Sequence, residues 1–250
     1  LSQRHDMAAI YLIRHGQASF GSTDYDQLSN KGSQQARLLG KYWRSRGAPS
    51  QFYCGDLLRH GQTLTHFVNG YQGETTPMVI HSGFNEFDHV EILQQYNPQW
   101  NNFAKMNDAL NQLDEPNKAL QQEFYQALKR WISGDNHHEY KESWPQFQAR
   151  CIRALQDIIQ QQLSHKRQLR AVNHEPKPSK DILVFTSGGT ISVIIQHILK
   201  LNDQQTLAIN QQTRNTSVTK LLFSENMLSV DYFNNYSHLE QAGDEWITYK

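Results

Sequence analysis

Two cysteines in 250 residues, Cys54 and Cys151, are too few for a disulfide framework and too far apart for a CxxC metal site. An excess of charge of one sign is missing as well, since 24 Lys and Arg balance 24 Asp and Glu. A net charge of zero argues against a broad electrostatic footprint for nucleic acid or an anionic membrane, while leaving room for a local basic pocket. No apolar run approaches the ~20 residues that span a bilayer. Leu1 to Met7 holds no apolar stretch of signal-peptide length. Apolar residues are themselves sparse at 38%, and the difference is made up by uncharged amides, 28 of them Gln. Ile, Leu, Val and Phe nevertheless come in dense local clusters, which places the chain far from the disordered range. These limits describe a soluble, cytoplasmic, globular protein with neither a nucleic-acid nor a membrane partner.

What is present is a repeated unit of short apolar strand, loop and helix. Ala8-Ala9-Ile10-Tyr11-Leu12-Ile13 ends abruptly at Arg14-His15-Gly16, which suits a buried strand running into a loop. Ser29 precedes Ala36, Leu39 and Trp43 at helical spacing, with Gly47 beyond, so a capped helix is predicted there. Phe52-Tyr53-Cys54 leads through Gly55-Asp56 into a helix from Leu57 to about Val68, and Met78-Val79-Ile80 leads to Gly83-Phe84-Asn85-Glu86. From about Val90 to Leu163 long Gln- and Asn-rich helices take over, with Trp144, Phe147, Cys151, Leu155 and Ile158 marking one amphipathic face. Leu163 to Lys180, basic and containing Pro176 and Pro178, reads as a linker or exposed loop. Ile182-Leu183-Val184-Phe185 is another buried strand, entering a helix with Ile191, Ile194, Ile195 and Ile198. Ser217 to Phe223 and Leu228 to Phe233 form a hairpin joined at Ser224-Glu225-Asn226. The predicted architecture is α/β: a three-layer sandwich, mostly parallel sheet with helices on both faces. It forms a single domain over 1–250 with an inserted helical cap at about 90–180.

In open α/β sheets ligands sit outside the carboxyl ends of the strands, which singles out four loops. Arg14 and His15 follow the first strand. A guanidinium fits phosphate oxygens, and a neutral imidazole with one nitrogen held by a hydrogen bond can attack phosphorus. Arg59, after the second strand, adds a second guanidinium, and His60 beside it is expected to face solvent. Glu86, flanked by Phe84 and Phe87, is a candidate general acid, with Asp88 and His89 as an orienting pair. Ser187-Gly188-Gly189-Thr190 opens a helix, where free N–H groups receive an anion. Taken singly, each has a plain structural alternative: a loop histidine, a surface salt bridge, a helix cap, a tight turn. A serine nucleophile at position 187 would need G-x-S-x-G, and Phe185 stands where the first glycine belongs. No metal-ligand cluster is apparent.

With these residues together the chain resembles the histidine phosphatase superfamily, including its phosphoglycerate mutase-like branch. The resemblance rests on Ile13-Arg14-His15-Gly16-Gln17, on Tyr25-Asp26-Gln27-Leu28-Ser29 with Gly32, and on Asp56-Leu57-Leu58-Arg59 with Gln62-Thr63. Phe84-Asn85-Glu86 resembles the segment bearing the family's acid, while Asn215-Thr216-Ser217 and Phe233-Asn234-Asn235 with His238-Leu239 look like its last strands. The family normally ends its fourth strand with Ser-His-Gly-Gly, and here Ser187 replaces that second histidine. Two consequences are open: His89 restores the imidazole, or the pocket binds phosphate with little turnover.

The resemblance implies a phosphomonoesterase working through a phosphohistidine. Catalysis would fall to His15, Arg14, Arg59, Glu86 and His89, and phosphate binding to Arg14, Gln17, Arg59, Ser187 and Gly188. The substrate is a small phosphorylated compound, and no cofactor or metal is called for. A mutase is disfavoured by Ala18 and Gly21 after the Arg-His-Gly and by Phe87-Asp88-His89 after the acid. The other readings are a catalytically weak or inactive phosphoester-binding or regulatory protein on the same fold, and a serine hydrolase using Ser187 with His238.

Overall fold

Side chains alternate across a strand, so an apolar run with no polar alternation must be covered on both faces. Strand β1 (Ala8–Arg14) obeys this. Its Ile10 and Leu12 pack into one cluster with Ile182 and Val184, while Ala9, Tyr11 and Ile13 pack into another with Leu183 and Phe185. The computed structural model describes residues 7–19, 26–100, 105, 106, 108, 109, 112, 114–171 and 181–249. Tyr25, Gly21, Pro176 and Pro178 therefore lie outside the described residues.

Besides β1 the sheet comprises β2 (Gln51–Cys54), β3 (Met78–Ile80), β4 (Asp181–Thr186), β5 (Val218–Phe223) and β6 (Leu228–Asn235), in the order β3-β2-β4-β1-β5-β6. The first four run parallel, and β5 and β6 are antiparallel to their neighbours. The register aligns Arg14 with Thr186, and Cys54 with both Phe185 and Ile80. Four strands thus end at one edge, and the four candidate loops leave from it.

Eight α-helices are formed by the described residues: α1 (Asn30–Trp43), α2 (Leu58–Tyr71), α3 (His89–Tyr96), α4 (Pro116–Ser133), α5 (Trp144–Ala171), α6 (Gly188–Leu199), α7 (Asp203–Gln212) and α8 (Ser237–Glu240). Ser29 caps α1 by accepting from the Gly32 N–H, as its place in the sequence predicts. Leu39 and Trp43 of α1, with Leu64, Phe67 and Tyr71 of α2, cover one face of the sheet. Ala154, Leu155 and Ile158 of α5, with Ile191, Ile194 and Ile195 of α6, cover the other. Each fully buried Leu, Ile or Phe among them contributes about 1.5–3 kcal/mol. The mostly parallel α/β sandwich is the one predicted.

The chain divides into two compact units, Leu1–Glu86 with Arg150–Lys250, and Phe87–Ala149. In the second, Trp131 is surrounded by Phe87, Trp144 and Phe147 at ring-centroid distances of 5.1, 5.2 and 5.6 Å, and its Nε1 donates to the Glu142 carbonyl at 2.9 Å. The second unit ends at Ala149, and the next turns of α5 bury Ala154, Leu155 and Ile158 against the sheet. Residues 163–171, read as linker, continue α5: Leu163 packs on the core, and Lys, Arg, Gln and Leu are strong helix formers. His238 and Leu239, read as part of the last strands, lie instead in α8.

Candidate active site

The loop after β1 is fixed from three sides. The His15 N–H donates to the Thr186 carbonyl at 2.9 Å, and the Thr216 N–H donates to the Arg14 carbonyl at 3.0 Å. The Gly16 N–H donates to Thr63 Oγ1 on α2 at 3.1 Å, and the Gln17 N–H to Gln35 Oε1 on α1 at 2.9 Å. A Cβ on Gly16 would run into the Gly32 backbone, so glycine is what lets the first turn of α1 approach the loop. Gln17 belongs to this bracing, its side-chain oxygen accepting from the Ser29 hydroxyl at 3.0 Å.

His15 is 6% exposed. Its Nδ1 lies 2.7 Å from the Gly16 carbonyl oxygen. A carbonyl can only accept, so Nδ1 carries the proton. Burial, then the positive charges of Arg59 and Arg14 and the neighbouring His60, hold the ring's pKa well below the ordinary histidine value. Nε2 is therefore left as an unprotonated lone pair in a cationic setting.

Two guanidiniums accompany it. Arg59, 5% exposed at the start of α2, donates from Nη1 to Asp26 Oδ1 at 2.7 Å, while the other Asp26 oxygen accepts the Leu58 N–H at 2.8 Å. The one carboxylate thus orients the guanidinium and satisfies a helix N-terminus. Arg14 donates from Nη1 to the carbonyls of Thr213 and, at 2.8 Å, Tyr249. A Cβ built on Gly188 would stand 3.5 Å from Arg14 Nε, which puts the first turn of α6 alongside that guanidinium.

Glu86 meets the same turn. Its Oε2 accepts the Gly189 N–H at 3.0 Å, and the Thr190 hydroxyl donates to the Asn85 carbonyl at 2.9 Å. The strand-end rule thus brings Arg14, His15, Arg59, Glu86 and Gly188 to one edge, as read from sequence. His89 is the first residue of α3, whose N-cap is Asp88, and belongs to the Phe87–Ala149 unit.

His60 departs from expectation. Read as solvent-facing, it is 0% exposed, its ring centroid is 5.8 Å from that of His15, and its Nε2 lies 2.6 Å from Ser187 Oγ. The physical reason is its place on α2: His60, Leu64, Phe67 and Tyr71 share the helix face turned to the sheet. That three- and four-residue spacing was the available signal. The salt bridge from Asp26 to Arg59 had none, because 33 residues separate the partners. His238, considered as a partner for Ser187, has its Nε2 2.9 Å from Thr216 Oγ1 instead.

A neutral imidazole, two guanidiniums, a carboxylate and a helix start can together hold and transfer a phosphoryl group. Among the described residues no group of three or more His, Cys, Asp or Glu is arranged to hold a metal ion, and no helix is long and apolar enough to cross a membrane.

The model of the histidine phosphatase superfamily (branch 1) matches residues 10–236. Among solved structures, a phosphoglycerate mutase from Bacillus anthracis is 15% identical with a TM-score of 0.60, covering 95% of this chain and 97% of its own. A phosphoserine phosphatase variant from Entamoeba histolytica, in complex with phosphoserine, is 18% identical with a TM-score of 0.57, covering 92% and 98%. A mycobacterial glucosyl-3-phosphoglycerate phosphatase is 18% identical with a TM-score of 0.54, covering 91% and 98%. At these identities the likeness is one of fold. No curated protein sequence matches the chain.

Proposed function

The chain belongs to the histidine phosphatase superfamily (branch 1), and from that premise we propose that it is a phosphomonoesterase working through a phosphohistidine on His15. The observation that carries this reading is the His15 ring itself, with Nδ1 committed to the Gly16 carbonyl and its pKa held low. Such a ring presents a nucleophilic lone pair at ordinary pH without needing a separate base.

Arg14 and Arg59 hold the non-bridging phosphoryl oxygens, with Ser187 and the backbone at Gly188 completing the cradle. His15 Nε2 attacks phosphorus in line. The ester P–O bond breaks, and Glu86, as its acid, protonates the departing oxygen. Water then attacks the phosphohistidine and gives its proton to Glu86. The P–N bond breaks, and His15 returns to its neutral form with Glu86 reprotonated. Positioning and charge supply most of the acceleration in phosphoryl transfer, which matches a site rich in fixed donors. Hydrolysis is favoured over mutase chemistry by Ala18 after the Arg-His-Gly and by Phe87-Asp88-His89 after the acid.

Turnover of p-nitrophenyl phosphate tests the reading. His15→Ala is expected to lose about 10³-fold or more in kcat/KM, the scale on which removal of a nucleophile acts. Hydrolysis at the wild-type rate by that variant would overturn it.

A further inference from the structure

Ser187 occupies the N-cap of α6, where a serine hydroxyl ordinarily accepts a backbone N–H of the first turn. Here it makes no such bond. The Gly189 N–H goes to Glu86 instead, and Ser187 Oγ is committed to His60 at 2.6 Å. Both residues are wholly buried, and His60 sits one position after Arg59 and one ring away from His15. A buried polar pair that neither caps its helix nor meets solvent calls for a reason at the site.

The direction of the bond follows from the other edge of the ring. His60 Nδ1 is buried with no hydrogen-bond partner and lies against Gly55, where a Cβ would collide with it. A bare lone pair is tolerated there better than an unsatisfied N–H donor, so the ring's proton sits on Nε2. Nε2–H then donates to Ser187 Oγ, and the serine's own proton is left for another acceptor. Burial and the charge of Arg59 hold the ring's pKa well below the ordinary value, so it stays neutral and the tautomer persists at working pH.

We propose that His60 is a positioning residue that holds the Ser187 hydroxyl as a donor to a phosphoryl oxygen, the pair acting as one unit beside His15. The inference rests on the phosphomonoesterase reading, in which Ser187 already belongs to the cradle, and adds what orients its hydroxyl, a hydrogen bond from α2 to the start of α6. Its donation strengthens as charge spreads over the equatorial oxygens, so its loss appears in kcat more than in KM. A donor polarised by a second hydrogen bond also exceeds a lone hydroxyl.

The test is a double-mutant cycle on p-nitrophenyl phosphate hydrolysis, with thermal unfolding confirming that each variant folds. Ser187→Ala and His60→Ala are each expected to lower kcat by about 10²-fold, the usual cost of removing one oriented donor. The double variant is expected to lose no more than either single one, because His60 acts only through Ser187. A His60 that merely fills space would instead give losses that multiply in the double variant, and that result overturns the proposal. Nitrogen-15 NMR of the unaltered protein gives an independent readout that needs no variant. Nε2 of His60 should be protonated between pH 6 and 8, and a ring protonated at Nδ1 overturns the proposal. Wild-type protein that leaves p-nitrophenyl phosphate untouched would overturn the functional reading and this inference with it. A working enzyme whose cycle is additive would overturn this inference alone.

Discussion

A carbonyl oxygen can only accept a hydrogen bond, and at His15 that rule fixes which nitrogen is free to react. The same reasoning predicts the behaviour of Glu86. A glutamine there still accepts the Gly189 N–H through its amide oxygen but has no proton to give. Glu86→Gln should therefore slow phenyl phosphate, a poor leaving group, by about 10²–10⁴-fold. It should change 2,4-dinitrophenyl phosphate, whose phenolate needs no proton, by much less. Equal losses on both esters would remove Glu86 from the role of acid. Arg14, His15, Arg59 and Glu86 were legible in the sequence because each follows a short apolar run, and parallel strands send such loops to one edge. His60 was not, because a histidine beside an arginine looks like solvent-facing surface until its helix face is known. Asp26 could not be read as the partner of Arg59 from spacing at all.

Among elements, α1 and α2 approach each other closely on the face of the sheet that carries Arg59 and His60. A Cβ on Gly40 would run into the Phe67 carbonyl, and one on Gly70 into the Arg37 carbonyl. Backbones approach this closely only where side chains are absent. Gly40→Ala is expected to destabilise the protein by about 2–4 kcal/mol, as overpacking against rigid backbone does. Gly61, within α2 but with open space around its Cβ position, should behave oppositely. Gly61→Ala is expected to stabilise by about 0.5–1 kcal/mol through helix propensity. Urea unfolding of the two variants checks both signs, and a destabilised Gly61→Ala beside an unaffected Gly40→Ala would contradict this packing. Strands and capped helices were readable because a buried parallel strand is a short continuous apolar run. The far end of α5 was not, since basic residues with few apolar ones look alike in an exposed helix and in a linker.

At the scale of the whole fold, three buried histidines among the described residues, His15, His60 and His238, are held neutral in the folded chain. Burial holds each pKa below the ordinary value of 6.5, for His238 down to about 3. The unfolded chain takes up these protons first as pH falls. Stability is therefore fully present above about pH 6.5 and drains away below it. Between pH 6.5 and 4.5 His238 alone should cost about 2 kcal/mol, with His15 and His60 adding in the same direction. Urea unfolding across that range is expected to show a steep decline, shallower by about one proton in His238→Gln. A flat profile would contradict the neutral burial. At this scale the α/β class and the central sheet were legible, because strand and helix periodicities alternate along the chain. The end of the helical insertion has no mark in the sequence, because one amphipathic pattern runs through Trp144, Phe147, Cys151, Leu155 and Ile158.

Rapid acid-free quenching of the protein with a radiolabelled phosphomonoester bears most directly on the chemistry assigned to His15. A labelled protein stable in alkali and labile in acid, absent from His15→Ala, is the predicted result. Steady hydrolysis with no label at His15, or with label in an alkali-labile serine ester, would contradict it.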